Sequence, residues 1–219
     1  MIRMTIRKKI NQIFGTLRSI YAKPLYFIKA GYMHRTQVIT FDDSTNTDEW
    51  QNEVYQFSRE LMIKNGYSKV IDFGCGSGYK LVQNFADYDT LGIELEQAVD
   101  ILQTKYPQRK WEVYNYSKRY SCDLLIMSDV LEHIEDPFVL LKNFDALFDF
   151  KTMIISTPDR NLLRSTFSFG PPKNVSHFRE WSFDEFYQLI SSLFDVKHHF
   201  ISNKKQATQV IECIKTKRI

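Results

Sequence analysis

The sequence predicts an α/β fold whose sheet is mostly parallel and carries helices on both faces. From residue 69 onward, short β-branched or aromatic runs alternate with stretches of helical pattern. A glycine turn at 74–78 directly follows the first of these runs, as in a strand–loop–helix unit. The 219 residues suit one such domain with additions, and 43% hydrophobic with 25% charged residues is ordinary globular composition.

Seven strands are predicted along the chain. They span residues 69–73, 90–94, 110–114, 123–127, 152–156, 196–201 and 208–215. Between the first five strands, helices are predicted after Gly78, over residues 96–106 and from Pro137 to about residue 148. Ser182 and Glu185 form a capping box that starts a further helix. The last two strands read as a hairpin, so the last strand is expected to enter the sheet antiparallel.

The chain is divided by charge into a basic extension, residues 1–46, and a domain, residues 47–219. Residues 1–41 contain eight Lys or Arg and no acid, although the net charge of the whole chain is only +3. Apolar residues repeat with a 3.6-residue period over 1–22, which predicts a basic amphipathic helix. Such a helix can lie on an anionic membrane, bind a partner, or pack on its own domain or on a second copy in a homodimer.

A second helix is predicted from about residue 48 to Asn65, with Asn46 or Thr47 as its N-cap. No apolar run approaches the ~18 residues of a transmembrane helix, and the N-terminus lacks the apolar region and cleavage site of a secretory signal. The three cysteines are far apart and show no metal-ligand spacing. These features predict a cytoplasmic protein, with membrane association through the basic helix left open.

Polar residues collect where the predicted parallel strands end, which is where ligands bind in an open α/β sheet. Asp72 and the glycine turn end the first strand, Glu94 ends the second, and Asn115 follows the third. The fourth is followed by Ser128, Asp129, Glu132 and His133. Glu94 lies 20 residues beyond Gly74, where a carboxylate can accept hydrogen bonds from a ribose diol.

The glycine turn and its acid favour one adenosine cofactor over another. A dinucleotide fingerprint has the spacing G-x-G-x-x-G and holds a pyrophosphate at the helix N-terminus. Here the spacing is G-x-G-x-G, and Asp72 stands directly before it. A carboxylate at that place repels a pyrophosphate and attracts an ammonium group. S-adenosylmethionine (SAM) has an ammonium, a sulfonium and no phosphate, so the charges favour SAM.

Three segments in this order resemble the motifs of one family. Residues 70–78, VIDFGCGSG, are similar to motif I of the class I SAM-dependent methyltransferases, and residues 91–94 resemble motif II. Residues 122–137 resemble motif IV and its following loop, in a version (DVLEHI at 129–134) typical of small-molecule methyltransferases such as those of ubiquinone synthesis. The resemblance covers residues 66–214 and implies a Rossmann-like domain.

The resemblance also implies roles for single residues. The methionine part of SAM would be held by Asp72, Gly74, Cys75, Gly76 and Gly78. The remaining cofactor contacts would come from Glu94 and Leu95 at the ribose, Asn115 and Tyr116 at the adenine, and Ser128 and Asp129 near the sulfonium. Gln51 and Tyr55 lie one helical turn apart and share a face that could close over SAM, although Tyr55 could equally be a core residue.

A narrower resemblance concerns the methyl acceptor. Residues 47–55 and 170–182 look like segments of methyltransferases found with glycosyltransferases in surface-polysaccharide synthesis, which implies a sugar or glycan-precursor acceptor. A quinone or lipid precursor is the alternative. A hydroxyl acceptor has to lose a proton, and His133 and His177 are the candidate bases, with Asp129 beside them. A structural role for His133 is equally open, and no clustered metal-ligand set is apparent.

Arg179 and Glu180 are candidates for binding the acceptor, with a salt-bridged loop anchor as the alternative. The sequence disfavours two other kinds of protein. A nucleic-acid methyltransferase would use the basic arm on phosphates, but the Asn/Asp-Pro-Pro-Tyr motif of base methylation is missing after the fourth strand, so no nucleic-acid partner is expected. A SAM-fold binding protein without turnover is disfavoured because Asp72, the three glycines and Glu94 are all present.

Overall fold

A computed structural model describes residues 25–39 and 50–216 and contains a seven-stranded mixed sheet. The strand order is β3-β2-β1-β4-β5-β7-β6, with the first five strands parallel and β7 antiparallel to both β5 and β6. The predicted fold class is therefore confirmed, including the antiparallel last strand. Over the described residues, no helix is long and apolar enough to cross a membrane.

The element bounds follow the predicted alternation. The strands are β1 (Lys69–Phe73), β2 (Asp89–Glu94), β3 (Lys110–Val113), β4 (Tyr120–Ser128), β5 (Phe148–Pro158), β6 (Phe194–Asn203) and β7 (Thr208–Lys215). The α-helices are α1 (Asn52–Asn65), α2 (Tyr79–Asn84), α3 (Glu96–Lys105), α4 (Pro137–Leu147), α5 (Arg160–Leu163) and α6 (Phe183–Ser191). Short 3₁₀ helices lie at Leu25–Phe27 and Leu131–His133.

Alternate residues of the central strands pack into two cores, one on each face of the sheet. Ile71 of β1 belongs to the core that is covered by α4 and α6. Its neighbour Val70 belongs to the core that is covered by α1 and α3. Because successive strand side chains point to opposite faces, a strand between two helical layers has to be apolar at both. This explains why Val70 and Ile71 in β1, and residues 124–127 in β4, are apolar in succession.

Strands β4 and β5 are longer than predicted because they pair along almost their whole length. Their register runs from Tyr120 opposite Phe148 to Ser128 opposite Ser156. Near the start of the pair, the rings of Tyr120 and Phe148 stack with centroids 4.7 Å apart. An aromatic cross-strand contact of this kind stabilises residues that the sequence pattern placed in loops.

Residues 25–39 pack on the body of the domain, although the sequence places them in the extension. Ile28 and Tyr32 are buried in the core beneath α6. The Lys29 backbone N–H donates to Glu185 Oε1 at 2.9 Å, and Trp181 Nε1 donates to the Tyr26 carbonyl at 3.0 Å. The helix predicted over 1–22, the boundary at residue 46/47 and the predicted N-caps Asn46 and Thr47 lie outside the described residues.

The predicted capping box at the start of α6 is present, and it is joined to a buried ion pair. The Ser182 N–H donates to Glu185 Oε2, and the Glu185 N–H approaches Ser182 Oγ. Arg160 donates to both Glu185 oxygens at 2.6 and 2.9 Å and also to the Glu180 carbonyl at 3.0 Å. Because Arg160 is 1% exposed, this fork fixes the loop that leads back from β5 to α6.

Replacing Arg160 by Met is expected to lower the free energy of unfolding by about 3–5 kcal/mol, because it leaves the buried Glu185 without its guanidinium. Lys197→Met is the matched control, since the Lys197–Asp195 pair is exposed and its loss is expected to cost at most about 1 kcal/mol. Chemical denaturation of both variants gives the comparison. Equal losses would show that Arg160 does not anchor the loop.

Candidate active site

The glycine turn after β1 has a backbone that only glycine adopts without strain. Gly74, Gly76 and Gly78 have φ angles of 75°, 53° and 67°. A Cβ on Gly74 would lie 2.4 Å from Val130 Cγ2, and one on Gly78 would lie 2.6 Å from the Trp111 ring. The turn is therefore pressed between β2, β3 and the loop after β4, with space for a ligand on its open side.

Two carboxylates flank this turn as the sequence predicts. Asp72 is fully buried and accepts a hydrogen bond from Tyr55 Oη at 3.0 Å. The carboxylate of Glu94 accepts from the Gly76 N–H at 2.9 Å and from the Leu95 N–H at 2.9 Å. Each carboxylate oxygen has two lone pairs, so Glu94 can hold the turn and still accept from a ligand hydroxyl.

Gln51 ties the start of α1 to the end of β4. It precedes the helix with φ of 63°, its side-chain Nε2 donates to Asp129 Oδ2, and its Oε1 accepts from Ser128 Oγ at 2.8 Å. Ser156 Oγ donates to the other Asp129 oxygen at 3.1 Å. Burial raises the pKa of Asp129 to about 6, and the hydrogen bonds from Ser156 and Gln51 oppose this shift. The shared face predicted for Gln51 and Tyr55 thus meets two strand-end acids.

A second cluster joins the loop after β4 to the loop before α6. Glu132 is fully buried; Thr157 Oγ1 donates to its Oε2 at 3.0 Å, and its Oε1 has no hydrogen-bond partner among the described residues. His133 and His177 face each other edge to face with ring centroids 4.7 Å apart. His133 Nδ1 lies 3.0 Å from the Ser176 carbonyl, so this nitrogen carries the proton and donates.

Burial shifts the pKa values of two residues of this cluster, His133 and Glu132. It lowers the pKa of His133 to about 4, and the neighbouring His177 adds to the shift, so His133 is neutral near pH 7. Burial also raises the pKa of Glu132 well above its usual value, and the nearby Asp129 raises it further. These two shifts favour the uncharged forms of His133 and Glu132.

The orientation of the His177 ring is fixed by two side chains. Its Nδ1 donates to Glu180 Oε1 at 3.1 Å, and Asn174 Nδ2 donates to its Nε2 at 3.0 Å. The amide orientation follows from Asn174 Oδ1, which accepts from Ser176 N and Oγ. Arg164 donates to the second Glu180 oxygen at 2.7 Å. With its proton on Nδ1, His177 has its lone pair on Nε2, where it accepts the hydrogen bond from Asn174.

These groups surround one cavity of about 750 Å³ at the carboxyl ends of β1, β4 and β5. Its walls include nine of the predicted site residues: Gln51, Tyr55, Gly74, Cys75, Ser128, Asp129, His133, His177 and Glu180. Asp72 lies behind Tyr55, which donates to it. The cavity is thus shared by the glycine turn, the Gln51 network and the histidine cluster.

The predicted ribose and adenine contacts lie outside this cavity wall. Asn115 Oδ1 accepts from the Ser117 N–H at 2.8 Å, which makes a local turn after β3. Tyr116 is 68% exposed and packs on Tyr114 with ring centroids 4.5 Å apart. Leu95 is also exposed. Of these residues, Glu94 contacts the glycine turn through the Gly76 N–H. The contacts of all four to a cofactor stay a prediction.

Arg179 does not serve the cavity. It is 3% exposed, its two terminal nitrogens donate to the Ile134 and Glu135 carbonyls at 2.6 Å each, and its Nε donates to His34 Nδ1 at 3.2 Å. The guanidinium is therefore committed to holding the loop after β4 in place. Of the two roles open for Arg179 in the sequence, the structure supports the anchor, so its assignment to acceptor binding is corrected.

Several cavity residues were not predicted from the sequence. They are Trp50, Lys80, Pro158, Leu163, Arg164, Lys173, Asn174, Val175, Ser176 and Gln206. Lys80 follows the glycine turn on the first turn of α2, a place at which a side chain can reach back over the turn. Lys173 to Ser176 stand in the segment 170–182, in which the sequence gives roles only to His177, Arg179 and Glu180. Leu163 and Arg164 had no sequence signal.

The sequence profile of a methyltransferase domain family matches residues 43–199, more than half of the chain. The chain belongs to this family. The predictions of a SAM-dependent methyltransferase and of SAM as its cofactor are thereby confirmed. No sequence among the curated proteins matches.

Solved structures share the fold at low identity. Magnesium protoporphyrin IX methyltransferase (ChlM) from Synechocystis PCC 6803 with bound SAH is 15% identical with a TM-score of 0.60, over 98% of this chain and 100% of that one. The plantazolicin methyltransferase BpumL in complex with SAH is 15% identical, with a TM-score of 0.55 over 79% and 89%. N-methyltransferase NodS from Bradyrhizobium japonicum WM9 is 11% identical, with a TM-score of 0.55 over 77% and 97%.

The residues present fit SAM. The positive-φ turn offers close backbone approach. The Asp72 carboxylate is buried beside it, and a second carboxylate, Glu94, stands at the end of β2. The cavity beyond the turn has room for the acceptor.

Gly74→Ala is expected to weaken SAM binding at least about tenfold, because the new methyl group cannot share its place with Val130 and the turn has to move. Gly66→Ala is the matched control. Its φ is also positive at 63°, but a Cβ there meets nothing within 4 Å. Both variants should lose about 1–2 kcal/mol of stability from the strained φ, while titration calorimetry should show normal SAM affinity for Gly66→Ala alone. Normal affinity in both would remove the turn from the cofactor site.

Proposed function

We propose that the protein transfers a methyl group from SAM to a hydroxyl of a sugar or glycan precursor. The observation that carries this proposal is the pair of imidazoles, His133 and His177, which open on the same cavity as the glycine turn. A neutral imidazole at the acceptor position suits a hydroxyl, which has to lose its proton as the methyl group arrives.

The cofactor is held in this proposal by the carboxyl ends of β1 and β2. Asp72 and the backbone of residues 74–78 would receive the ammonium and carboxylate of the methionine part, and Glu94 the ribose hydroxyls. Bound SAM supplies a methyl group on a sulfonium, which is already a good leaving group. The chain therefore mainly has to align donor and acceptor and to exclude water.

The acceptor hydroxyl is activated at the histidine cluster. A neutral imidazole nitrogen that faces the cavity can take the proton directly, or it can hold an ion that lowers the pKa of the hydroxyl. In both cases the ring has to be held in one orientation, and Glu180 does this for His177 and the Ser176 carbonyl for His133. Asp129 lines the same cavity as Gly74 and the two histidines, so it would stand beside the path of the methyl group.

The sugar class is supported by the polar part of the cavity wall. Lys173, Asn174, Ser176 and Glu180 contribute hydrogen-bonding groups from the segment that resembles methyltransferases of surface-polysaccharide synthesis. A sugar presents several hydroxyls, and a site that recognises it needs donors and acceptors at this density. The neighbours named above are a magnesium protoporphyrin IX methyltransferase, a plantazolicin methyltransferase and an N-methyltransferase, so the fold itself does not select the acceptor.

A quinone or lipid precursor is the second candidate. Trp50, Leu163 and Val175 line the same cavity and are 50%, 44% and 48% exposed, which gives the mouth an apolar side. Incubating the enzyme and methyl-labelled SAM with nucleotide-sugar, glycan and quinone–lipid extracts, followed by mass spectrometry, separates the two. Label on a sugar hydroxyl supports the proposal, and label confined to the quinone–lipid fraction or to nitrogen would replace it.

The cellular setting is proposed with the same function. A glycan precursor is made in the cytoplasm, and the basic residues of 1–22 would bring the enzyme to an anionic membrane or to a partner, or would join two copies. No nucleic acid is expected among its partners. Binding of the full chain to vesicles with and without anionic lipid, compared with its mass in solution, distinguishes these arrangements.

Glu94→Ala is expected to weaken SAM binding at least tenfold, because the ribose hydroxyls lose their acceptor and the Gly76 N–H loses its partner. Glu94→Gln is the control, since its amide oxygen still accepts one hydrogen bond and should recover part of the affinity. Calorimetry with SAM measures both. Unchanged affinity in Glu94→Ala would overturn the placement of the ribose.

His177→Ala and His133→Ala are each expected to lower kcat on the acceptor at least about 100-fold without changing SAM affinity. His198→Ala is the matched control, because His198 also pairs with a carboxylate, Glu212, at 2.7 Å but lies at the surface of β6. The rate is measured by single-turnover methyl transfer. Full activity of both cavity variants would refute the proposed activation.

A further inference from the structure

The structure contains a group of metal-ligand side chains that the sequence did not predict. Glu132, His133 and His177 each offer one ligand atom, and these atoms lie within 4.8 Å of one another. Ligand atoms on a common divalent ion, at about 2.0–2.2 Å from it, are at most about 4.4 Å apart. Small side-chain adjustments therefore suffice to bring all three onto one ion.

The carboxylate of this group has one oxygen to spare. Glu132 is fully buried, and its Oε2 is held by Thr157 while its Oε1 has no partner among the described residues. A buried polar atom without a hydrogen bond is costly and needs a physical explanation. A cation that binds Oε1 supplies one.

Both imidazoles make the additional hydrogen bond that is usual for a histidine bound to a metal. A ligating histidine donates its other ring N–H to a carbonyl or carboxylate, which fixes the tautomer and the ring direction. His133 Nδ1 is 3.0 Å from the Ser176 carbonyl, and His177 Nδ1 is 3.1 Å from Glu180 Oε1. Each ring thus keeps an Nε2 lone pair. At His177 this lone pair accepts from Asn174 Nδ2, so the amide has to turn aside when an ion enters.

The cluster can be reached from the cavity through its histidines. His133 and His177 line the cavity, and Glu132 is fully buried with a carboxylate oxygen within 4.8 Å of a ring nitrogen of each. An ion bound to three protein atoms on this side keeps positions open toward the cavity, as a catalytic site does. A ligand set of two nitrogens and one oxygen suits borderline first-row ions better than Mg²⁺ or Ca²⁺, which prefer all-oxygen sites.

We propose that Glu132, His133 and His177 bind one divalent first-row transition-metal ion at the acceptor side of the cavity. Binding itself is independent of the acceptor's identity, and only the role of the ion rests on the proposed function. There it would polarise the acceptor hydroxyl and lower its pKa, so that the proton would pass to solvent in the cavity as the methyl group is transferred. The two histidines would then activate the acceptor by holding the ion.

The test is calorimetric titration of the chelator-treated full chain with Co²⁺ and Zn²⁺, together with the visible absorption of bound Co²⁺. One ion per chain is expected, and Glu132→Gln, His133→Ala and His177→Ala should each weaken it at least about tenfold. Each variant is checked for SAM binding, which reports that it is folded. His198→Ala is the control: it removes a His–carboxylate pair at the surface and should bind Co²⁺ as the parent chain does.

A second measurement does not depend on variants. The chain has five histidines, and nitrogen NMR of their rings during Zn²⁺ addition shows which of them bind. Shifts at His133 and His177 support the site. Shifts confined to His34, His198 and His199, no saturable binding, or unchanged binding in the three folded variants would overturn it.

The proposed ion site and the proposed function can each be refuted without the other. If no ion binds but His177→Ala still slows methyl transfer, the inference is wrong and the imidazole takes the proton itself. If Zn²⁺ binds at the cluster but labelled methyl groups never reach a hydroxyl, the ion site stands and the acceptor class falls.

Discussion

Burial of carboxylates at the carboxyl edge of the sheet is the constraint on which the site depends. Asp72, Glu132 and Glu180 are each at most 2% exposed. A buried carboxylate is costly unless donors reach it. The donors come from elements that are distant in sequence: Tyr55 of α1 for Asp72, Thr157 of β5 for Glu132, and Arg164 with His177 for Glu180. The acids therefore determine how α1 and the loop after β5 lie over the sheet.

The loop between β5 and α6 shows how this constraint reaches the core. At its start, Arg160 donates to Glu185 of the α6 capping box. Near its end, Arg179 donates to the carbonyls of the loop after β4. Between these two anchors the chain carries Asn174 and His177 to the cavity. Both anchors are buried, so the body of the domain fixes the position of the His177 imidazole. A ring that has to contact a ligand in the cavity needs such a fixed position.

Local patterns predicted the parts of the fold that local forces determine. The bounds of β1 were predicted to the residue because a five-residue run that contains Val70, Ile71 and Phe73 ends at a glycine turn, and the capping box of α6 requires only Ser182 and Glu185. The start of α1 was missed. There Gln51 adopts a positive φ while its side chain bonds to Asp129 and Ser128, 77 residues or more away, so a tertiary contact overrides the local capping preference.

The sequence predicted the site residues that lie at strand ends, but not the contacts between segments that are distant in sequence. Asp72, Glu94, Asp129 and His133 follow from strand ends, because parallel strands end at one edge. The meeting of Glu132 with His177 depends on a loop that returns over the edge after 44 residues, and neither the tautomer of His133 nor the spare oxygen of Glu132 has a sequence signal.

The glycine turn and the histidine cluster answer different needs within one cavity. The backbone of the turn has to be accessible to the cofactor. Val130 lies so close to Gly74 that a side chain at this position would clash with it. Val130 stands between Asp129 and the 3₁₀ helix Leu131–His133, so the residue that shapes the cofactor side is joined directly to the residues of the acceptor side. A displacement of the turn would therefore move Asp129 and His133 together, and the two halves of the site keep their separation because one short segment carries both.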